Sequence, residues 1–258
     1  MPERISIEAI PNIPVIVTGD NIGEIIVDKT KEANFELKEH DILCIASKAV
    51  SLAEGRLVAL DTVTVGDVAR EVHKRIPRKD PRTLQLIIDA TGVDDTSRLD
   101  FDDNYIAGWL PNGNRLTSVG VDKMGSEHVI LLPEDPDKSA RTIGATILEA
   151  TGINVAVIIT DSDGRVEKRG ATQVAIGVYG VPPVRVTERA EKGEVVRNEE
   201  TTCDMLAASA GLVMGQRGTN RPVVLIRGHE YEFDKTATIS DALVQSKALK
   251  PAPGKTNE

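Results

Sequence analysis

Cysteine is nearly absent: Cys44 and Cys203 are too few for a disulfide framework or a cysteine metal centre, so both read as reduced packing residues. Aromatic residues make up 3% of the chain, and its net charge is −9. Nucleic acid is held by basic surfaces and stacking rings, and the shortage of both argues against a nucleic-acid partner. No apolar run approaches the ~18 residues that cross a bilayer, so no membrane partner is expected. The opening MPERISIEAI lacks the basic and continuous apolar segments of a secretion signal, which makes the cytoplasm the expected location. His40, His73, His128 and His229 stand apart without ligand spacing, and none is assigned a chemical role. GxSxG, HExxH, CxxC and GxGxxG do not occur, which removes the familiar nucleophile, zinc-hydrolase and dinucleotide mechanisms. Pro253-Gly-Lys-Thr256 ends like a phosphate-binding P-loop, but Leu249 stands where the first glycine belongs, and the match is rejected.

What is present is an ordinary globular composition: 258 residues, 40% hydrophobic and 28% charged. That length can bury a real core as one unit, or as two closely joined subdomains, with 250–258 expected as a flexible tail. The chain is organised around Asn154–Gly170, NVAVIITDSDGRVEKRG. Val155 to Ile159 is an unbroken apolar run that reads as a strand buried on both faces. It is expected to end in a turn over Thr160, Asp161, Ser162, Asp163 and Gly164, followed by Arg165, Lys168 and Arg169. Hard oxygen ligands and cations at a strand's end form a place to hold a metal and a phosphate together. A charged surface hairpin is the plainer alternative.

Along the chain, Arg4–Ile10 reads as a strand, Ile22–Asn34 as a helix capped by Asp20 or Asn21, and Asp41–Ser47 as a second buried strand. Lys48, Ser51, Glu54, Gly55 and Arg56 after it read as a solvated loop. Val65–Ile76 and Pro81–Ala90 read as helices, with Lys74–Arg82 as a solvated connector. Gly92–Asn104 is read as a surface loop without the EF-hand order of ligands, and Tyr105–Leu110 with Leu116–Val121 as a hairpin. Asp135 caps a predicted helix ending at Gly152, whose acids Glu134, Asp135 and Asp137 are explained by helix chemistry. Ala171–Tyr179 and Val184–Thr187 are expected to pair, and Glu188–Glu200 to be exposed and mobile. Thr201 with Asp204 predicts a capping box for a helix to Val213. The glycine-rich loop from Met214 to Arg221 could let backbone N–H groups approach a nucleotide, though glycine after a helix is ordinary.

Taken together, IPNIPVI with Gly19-Asp20, DILCIASK with Ala53–Arg56, Gly120–Asp122, LLPEDPD-SA, TDSDGR with Arg169-Gly170, Ala175–Gly177 and VMG at Met214 resemble the coenzyme F420-0:L-glutamate ligase (F420-0:gamma-glutamyl ligase) family, from about Ile10 to about Gly228. That resemblance implies a mixed α/β (α+β) fold of the family's own kind and an intertwined homodimer. It implies GTP as a substrate, Mn²⁺ or Mg²⁺, and a helping monovalent cation such as K⁺. Such an enzyme phosphorylates the lactyl carboxylate of F420-0 and lets the amine of L-glutamate displace phosphate, which needs no protein nucleophile.

Carried onto this sequence, the family's metal ligands fall on Asp122, Asp161, Ser162 and Gln216. Its nucleotide contacts fall on Ile13, Pro14, Val15 and Ile16, on Ser47 and Lys48, and on Met214, Gly215, Arg217, Gly218, Thr219, Asn220 and Arg221. Arg165 and Arg169 match its phosphate- or carboxylate-binding cations and, with Asp161, are the residues expected to act on substrate. The sequence departs from the pattern at Leu52, where a lysine is expected, at Gly125 for an asparagine, at Thr117–Gly120, and at Asp204-Met205 for an acidic pair. VPPVRVTERAEKGEVV replaces an aspartate-rich stretch. A paralogous ligase joining another acid and amine, or a nucleotide-binding homologue without turnover, are the alternatives these changes leave.

Overall fold

The computed structural model describes residues 4–191, 194–216 and 218–244. The chain begins with β1 (Ser6–Ala9), α1 (Ile22–Glu32), β2 (Ile42–Ala46), α2 (Ser47–Ala53) and β3 (Leu57–Ala59). It continues through α3 (Asp67–Arg75), α4 (Pro81–Ala90), β4 (Leu99–Phe101), β5 (Ile106–Trp109), β6 (Arg115–Thr117), β7 (Asp122–Met124) and β8 (His128–Ile130). Then come α5 (Pro136–Thr151), β9 (Ala156–Arg165), β10 (Lys168–Tyr179), β11 (Arg185–Glu191), β12 (Glu194–Glu200), α6 (Thr202–Met214) and β13 (Val223–Arg227). This is a mixed α/β fold, and it divides into two compact units. The first takes the chain up to Leu57 with Leu132–Asp163 and Arg169–Ala242; the second takes Val58–Leu131 with Gly164–Lys168. The expected tail at 250–258 lies outside the described residues.

The first unit is built on a five-stranded sheet in the order β1-β13-β2-β9-β10. β13 runs antiparallel to both β1 and β2, whereas β2 and β9 are parallel with Ile42 opposite Ala156 and Ala46 opposite Thr160. Side chains alternate across a strand, so Ile42, Cys44, Ala156, Ile158, Val224 and Ile226 meet Leu206, Ala210 and Met214 of α6 on one face. α5 packs over β10 on close approaches: a Cβ at Gly144 would lie 2.6 Å from the Tyr179 ring, and one at Gly177 2.4 Å from the Pro136 backbone. α5 starts as its sequence dictates, with Asp135 accepting from the Lys138 amide, and stops at Gly152 in the left-handed conformation. At the β2 start, Asp41 is fully buried and takes two hydrogen bonds from Arg227, 2.7 and 2.6 Å. Removing Arg227 would leave the buried Asp41 carboxylate with the Lys38 amide but without its cation.

The second unit packs α3 and α4 through Val72, Ile76, Leu84, Ile87 and Ile88 against Ile106, Val119 and Val129. Its strands form two small sheets, β4-β5-β6 and β3-β8-β7.

Several local expectations are corrected. The acid-rich segment after Ile159 is not a turn: β9 runs through Asp161, Ser162, Asp163 and Gly164 to Arg165, because it continues to pair with β10 as a long hairpin. Lys48 to Ala53 is helical, with Ser47 and Ser51 buried, since one face of the short helix closes over the core. Leu99–Phe101, expected in a loop, is a strand paired to β5, and Ser118–Gly120 leaves the expected second hairpin arm in a tight turn. β11 pairs with β12, not with β10; Pro182 and Pro183 cannot donate to a ladder, and Gly180 turns the chain away at φ +82°. Glu188–Glu200, expected exposed and mobile, is exposed but ordered into strand pairing: Arg185–Glu191 lies antiparallel to Glu194–Glu200. Thr201 makes no side-chain cap on α6; the Asp204 carboxylate instead reaches across to the Ala175 amide at 2.9 Å.

Candidate functional site

Strand directions decide where ligands can be met. Because β13 opposes its neighbours, the ends of β1 and β2, Thr160 within β9 and the start of β13 lie at one end of the sheet. Ligand-binding groups of α/β proteins gather beyond such carboxyl ends. Here the Ile10 amide donates to the Val223 carbonyl at 3.0 Å and the Ala46 amide to the Pro222 carbonyl at 2.8 Å. One residue further, the Ser47 hydroxyl donates to the Asp161 carboxylate at 2.7 Å. Ser47 is buried and Asp161 half-buried, so the serine holds the carboxylate in one orientation.

At the β1 edge of the same sheet lies a cleft of about 600 Å³ lined by β1 and by Asn12, Ile13, Val213, Thr219, Asn220 and Arg221; neither Ser47 nor Asp161 lines it. It brings together two segments far apart in sequence, the IPNIP loop and the glycine loop after α6. Asn12 and Asn220 both adopt left-handed φ, 58° and 51°, as their short amide side chains permit. Gly215 is required: at φ +69°, its Cβ would stand 2.6 Å from the Thr219 methyl. Thr219 in turn donates its hydroxyl to the Met214 carbonyl, which closes the loop. Met214 itself is core, receiving the Thr160 hydroxyl on its sulfur at 3.8 Å. Ile13 and Ile16 are buried anchors, while Pro14 and Val15 are exposed and, like Ile16, do not line this cleft. Lys48 is exposed on α2, Gly218 and Gln216 are exposed in the glycine loop, and Arg217 lies outside the described residues. Arg165 and Arg169 are exposed on the two arms of the β9–β10 hairpin.

A larger cleft of about 720 Å³, which the sequence did not announce, opens between the starts of α1 and α5 and the end of α2. Asp20, Glu54, Glu134, Asp135, Lys138 and Ser139 line it, with Ser139 donating to Glu54. Other acids serve the frame. Asp137 accepts from the Val178 and Ile239 amides and Asp204 from that of Ala175; burial pushes both carboxyls above the usual range, and Asp163 adds to the effect on Asp204. Asp137 therefore does more than favour its helix start: it ties α5 to two distant segments.

Asp122 belongs to the second unit, as the exposed first residue of β7. The chain before it is strained, with Ser118, Val119 and Gly120 at φ 51°, 52° and 72°. A buried β-branched residue in the left-handed region costs on the order of 1–3 kcal/mol and persists only where its surroundings impose it. Lys79 donates to the Ser118 hydroxyl at 3.0 Å. Burial lowers the Lys79 pKa, and the cations Arg78 and Lys123 lower it further, against the opposing effect of Asp122. The expectation of a solvated connector is corrected at this residue.

For a divalent ion, the chemistry of the carried donor set fits: carboxylates, a hydroxyl and an amide oxygen are the hard ligands that Mg²⁺ or Mn²⁺ take alongside phosphate oxygens. Among the described residues no group of three or more His, Cys, Asp or Glu side chains stands together as a metal cage.

The fold defines a mixed α/β protein whose central sheet carries a serine-held carboxylate on β9 and, at the β1 edge, a cleft closed by a glycine-hinged loop. The chain belongs to the F420-0:gamma-glutamyl ligase family, whose pattern matches residues 11–228. It is 34% identical to the coenzyme F420:L-glutamate ligase of Methanosarcina mazei over 91% of this chain and 90% of that protein. The protein of the same name from Methanopyrus kandleri is 35% identical over 89% of each chain, and that of Methanococcus maripaludis strain C7 is 36% identical over 90% of this chain and 92% of its own.

Proposed function

We propose that this protein is a GTP- and divalent-metal-dependent ligase that joins L-glutamate to the lactyl carboxylate of coenzyme F420-0, working as a homodimer in the cytoplasm. A carboxylate oxygen of F420-0 takes the γ-phosphoryl group of GTP and GDP leaves. The glutamate amine then adds to the acyl carbon, phosphate departs, and the amine's proton passes to solvent. Ile13, Ser47 and Lys48 with the loop from Met214 to Arg221 would bind the nucleotide. Arg165 and Arg169 would hold the phosphate or substrate carboxylate by charge-assisted hydrogen bonds. Asp122, Asp161, Ser162 and Gln216 would hold Mn²⁺ or Mg²⁺, with K⁺ assisting; bound metal supplies neutralisation of the phosphate oxygens during transfer.

The observation that carries this reading is the gathering of Ile13, Thr219–Arg221 and the Ser47–Asp161 pair at one sheet end in a chain of this family. Mass spectrometry after incubation with Mn²⁺, GTP, L-glutamate and F420-0 tests it: a product heavier by one or more glutamyl units, with GDP and phosphate, is the expected result. No product, with Mn²⁺-dependent GTP binding retained, would move the reading to a ligase for another acid and amine, or to a binding protein. The observation favouring that second reading is the combination of a half-buried Leu52 and the exposed hairpin Arg185–Glu200 where the family has a lysine and an aspartate-rich stretch.

A further inference from the structure

Three consecutive left-handed residues need a restraint, since two of them, Ser118 and Val119, have side chains that disfavour this backbone. Two restraints are visible within the second unit. Val119 is 1% exposed and locked among Leu84, Ile88 and Ile106 in the core, and Ser118 receives the Lys79 ammonium at 3.0 Å. Lys79 is itself fixed: its amide donates to the Ile76 carbonyl at 3.1 Å, and its own carbonyl meets Nδ1 of His73 at 2.9 Å. Asp80, next in sequence, caps α4 through the Arg82 amide and binds the Arg82 side chain twice. The connector between α3 and α4 is therefore a rigid support with one ammonium projecting to the turn before Asp122. The Val121 amide donates back to the Ser118 carbonyl at 2.9 Å, so the orientation of Ser118 is passed directly to the residue preceding Asp122.

We propose that Lys79 is a positioning residue for Asp122: its ammonium clamps Ser118, holds Ser118–Gly120 left-handed, and so presents the Asp122 carboxylate for metal binding. The clamp stands on the geometry; its purpose rests on the metal role proposed for Asp122 above.

Four variants of the full-length chain separate these points: Lys79→Met, Lys79→Arg, Ser118→Ala and Asp122→Asn. Each is measured by amide hydrogen exchange over residues 118–122 and by Mn²⁺ binding, read from the paramagnetic resonance of the free ion. Lys79→Met and Ser118→Ala are expected to speed exchange in this segment about tenfold with α3 and α4 unchanged. They should weaken Mn²⁺ binding by about tenfold, as the loss of a group supporting a metal ligand does. Lys79→Arg should restore both to within about threefold, because a guanidinium can reach the same hydroxyl. Asp122→Asn should lose Mn²⁺ binding with exchange unaltered. Unchanged exchange in Lys79→Met overturns the clamp, and so does a uniform rise across α3 and α4, which marks general destabilisation. If Asp122→Asn binds Mn²⁺ like the parent chain, the metal role of Asp122 fails, while the exchange comparison still decides whether Lys79 holds the turn.

Discussion

At the residue scale, Asp161 ties the middle of β9 to the start of α2. It accepts from Ser47 and is not part of the apolar core. Asp161→Asn should therefore cut metal-dependent product formation by more than about tenfold. The melting temperature should shift by only about 2–4 °C, since the amide oxygen can still accept from Ser47. Parallel activity and thermal-unfolding measurements check this, and unchanged turnover would remove Asp161 from the mechanism.

Asp80 gives a pH prediction. The Arg82 side chain beside it holds its carboxyl at about 2, below the ordinary 3.8. A folded-state pKa below the unfolded one means stability that is present above 3.8 and lost as pH falls through about 2. In urea unfolding, Asp80→Asn should be less stable than the parent chain at neutral pH, with the gap closing as acid protonates the parent's carboxyl. The two cysteines make a third test. Both are buried, burial pushes the Cys203 thiol to about 12, and that of Cys44 also rises. Thiol reagents should label neither in the native chain and both in denaturant.

At the element scale, the glycine loop after α6 is where backbone and site meet. Gly215→Ala adds a methyl 2.6 Å from Thr219 at a left-handed position. It should cost about 1–3 kcal/mol locally and weaken GDP binding, measured by calorimetry, more than it lowers the melting temperature. The same loop shows how partial the sequence signal was. VMG and the following polar residues marked a helix end, but the pairing of Thr219–Arg221 with Asn12 and Ile13 follows from β1 and β13 being sheet neighbours, which no local pattern encodes. Regular helices were legible: α5 begins at Asp135-Pro136 and ends at Gly152 as its caps require. The acid-rich stretch of β9 was not, because cross-strand pairing with β10 overrode the turn preference of Asp163-Gly164. Asp204 was read as a local cap and proved to be a tie to Ala175, a contact set by the docking of α6 on the sheet.

At the scale of the whole molecule, the proposed homodimer predicts twice the mass of one chain by light scattering at micromolar concentration; the mass of a single chain would overturn that part of the proposal. By itself the sequence determined the class of protein. Ordered motifs from IPNIP to VMG carry the family, the apolar runs at Asp41–Ser47 and Val155–Ile159 specify the central buried strands, and helix-capping residues specify α1 and α5. These features are local in the chain, so composition and spacing suffice. Only the tertiary structure decided that Ser47 holds Asp161, that two loops some 200 residues apart wall one cleft, and that Lys79 braces the strained turn before Asp122. Those depend on strand order, helix docking and the backbone conformation of Ser118–Gly120, where long-range contacts set geometry against local preference.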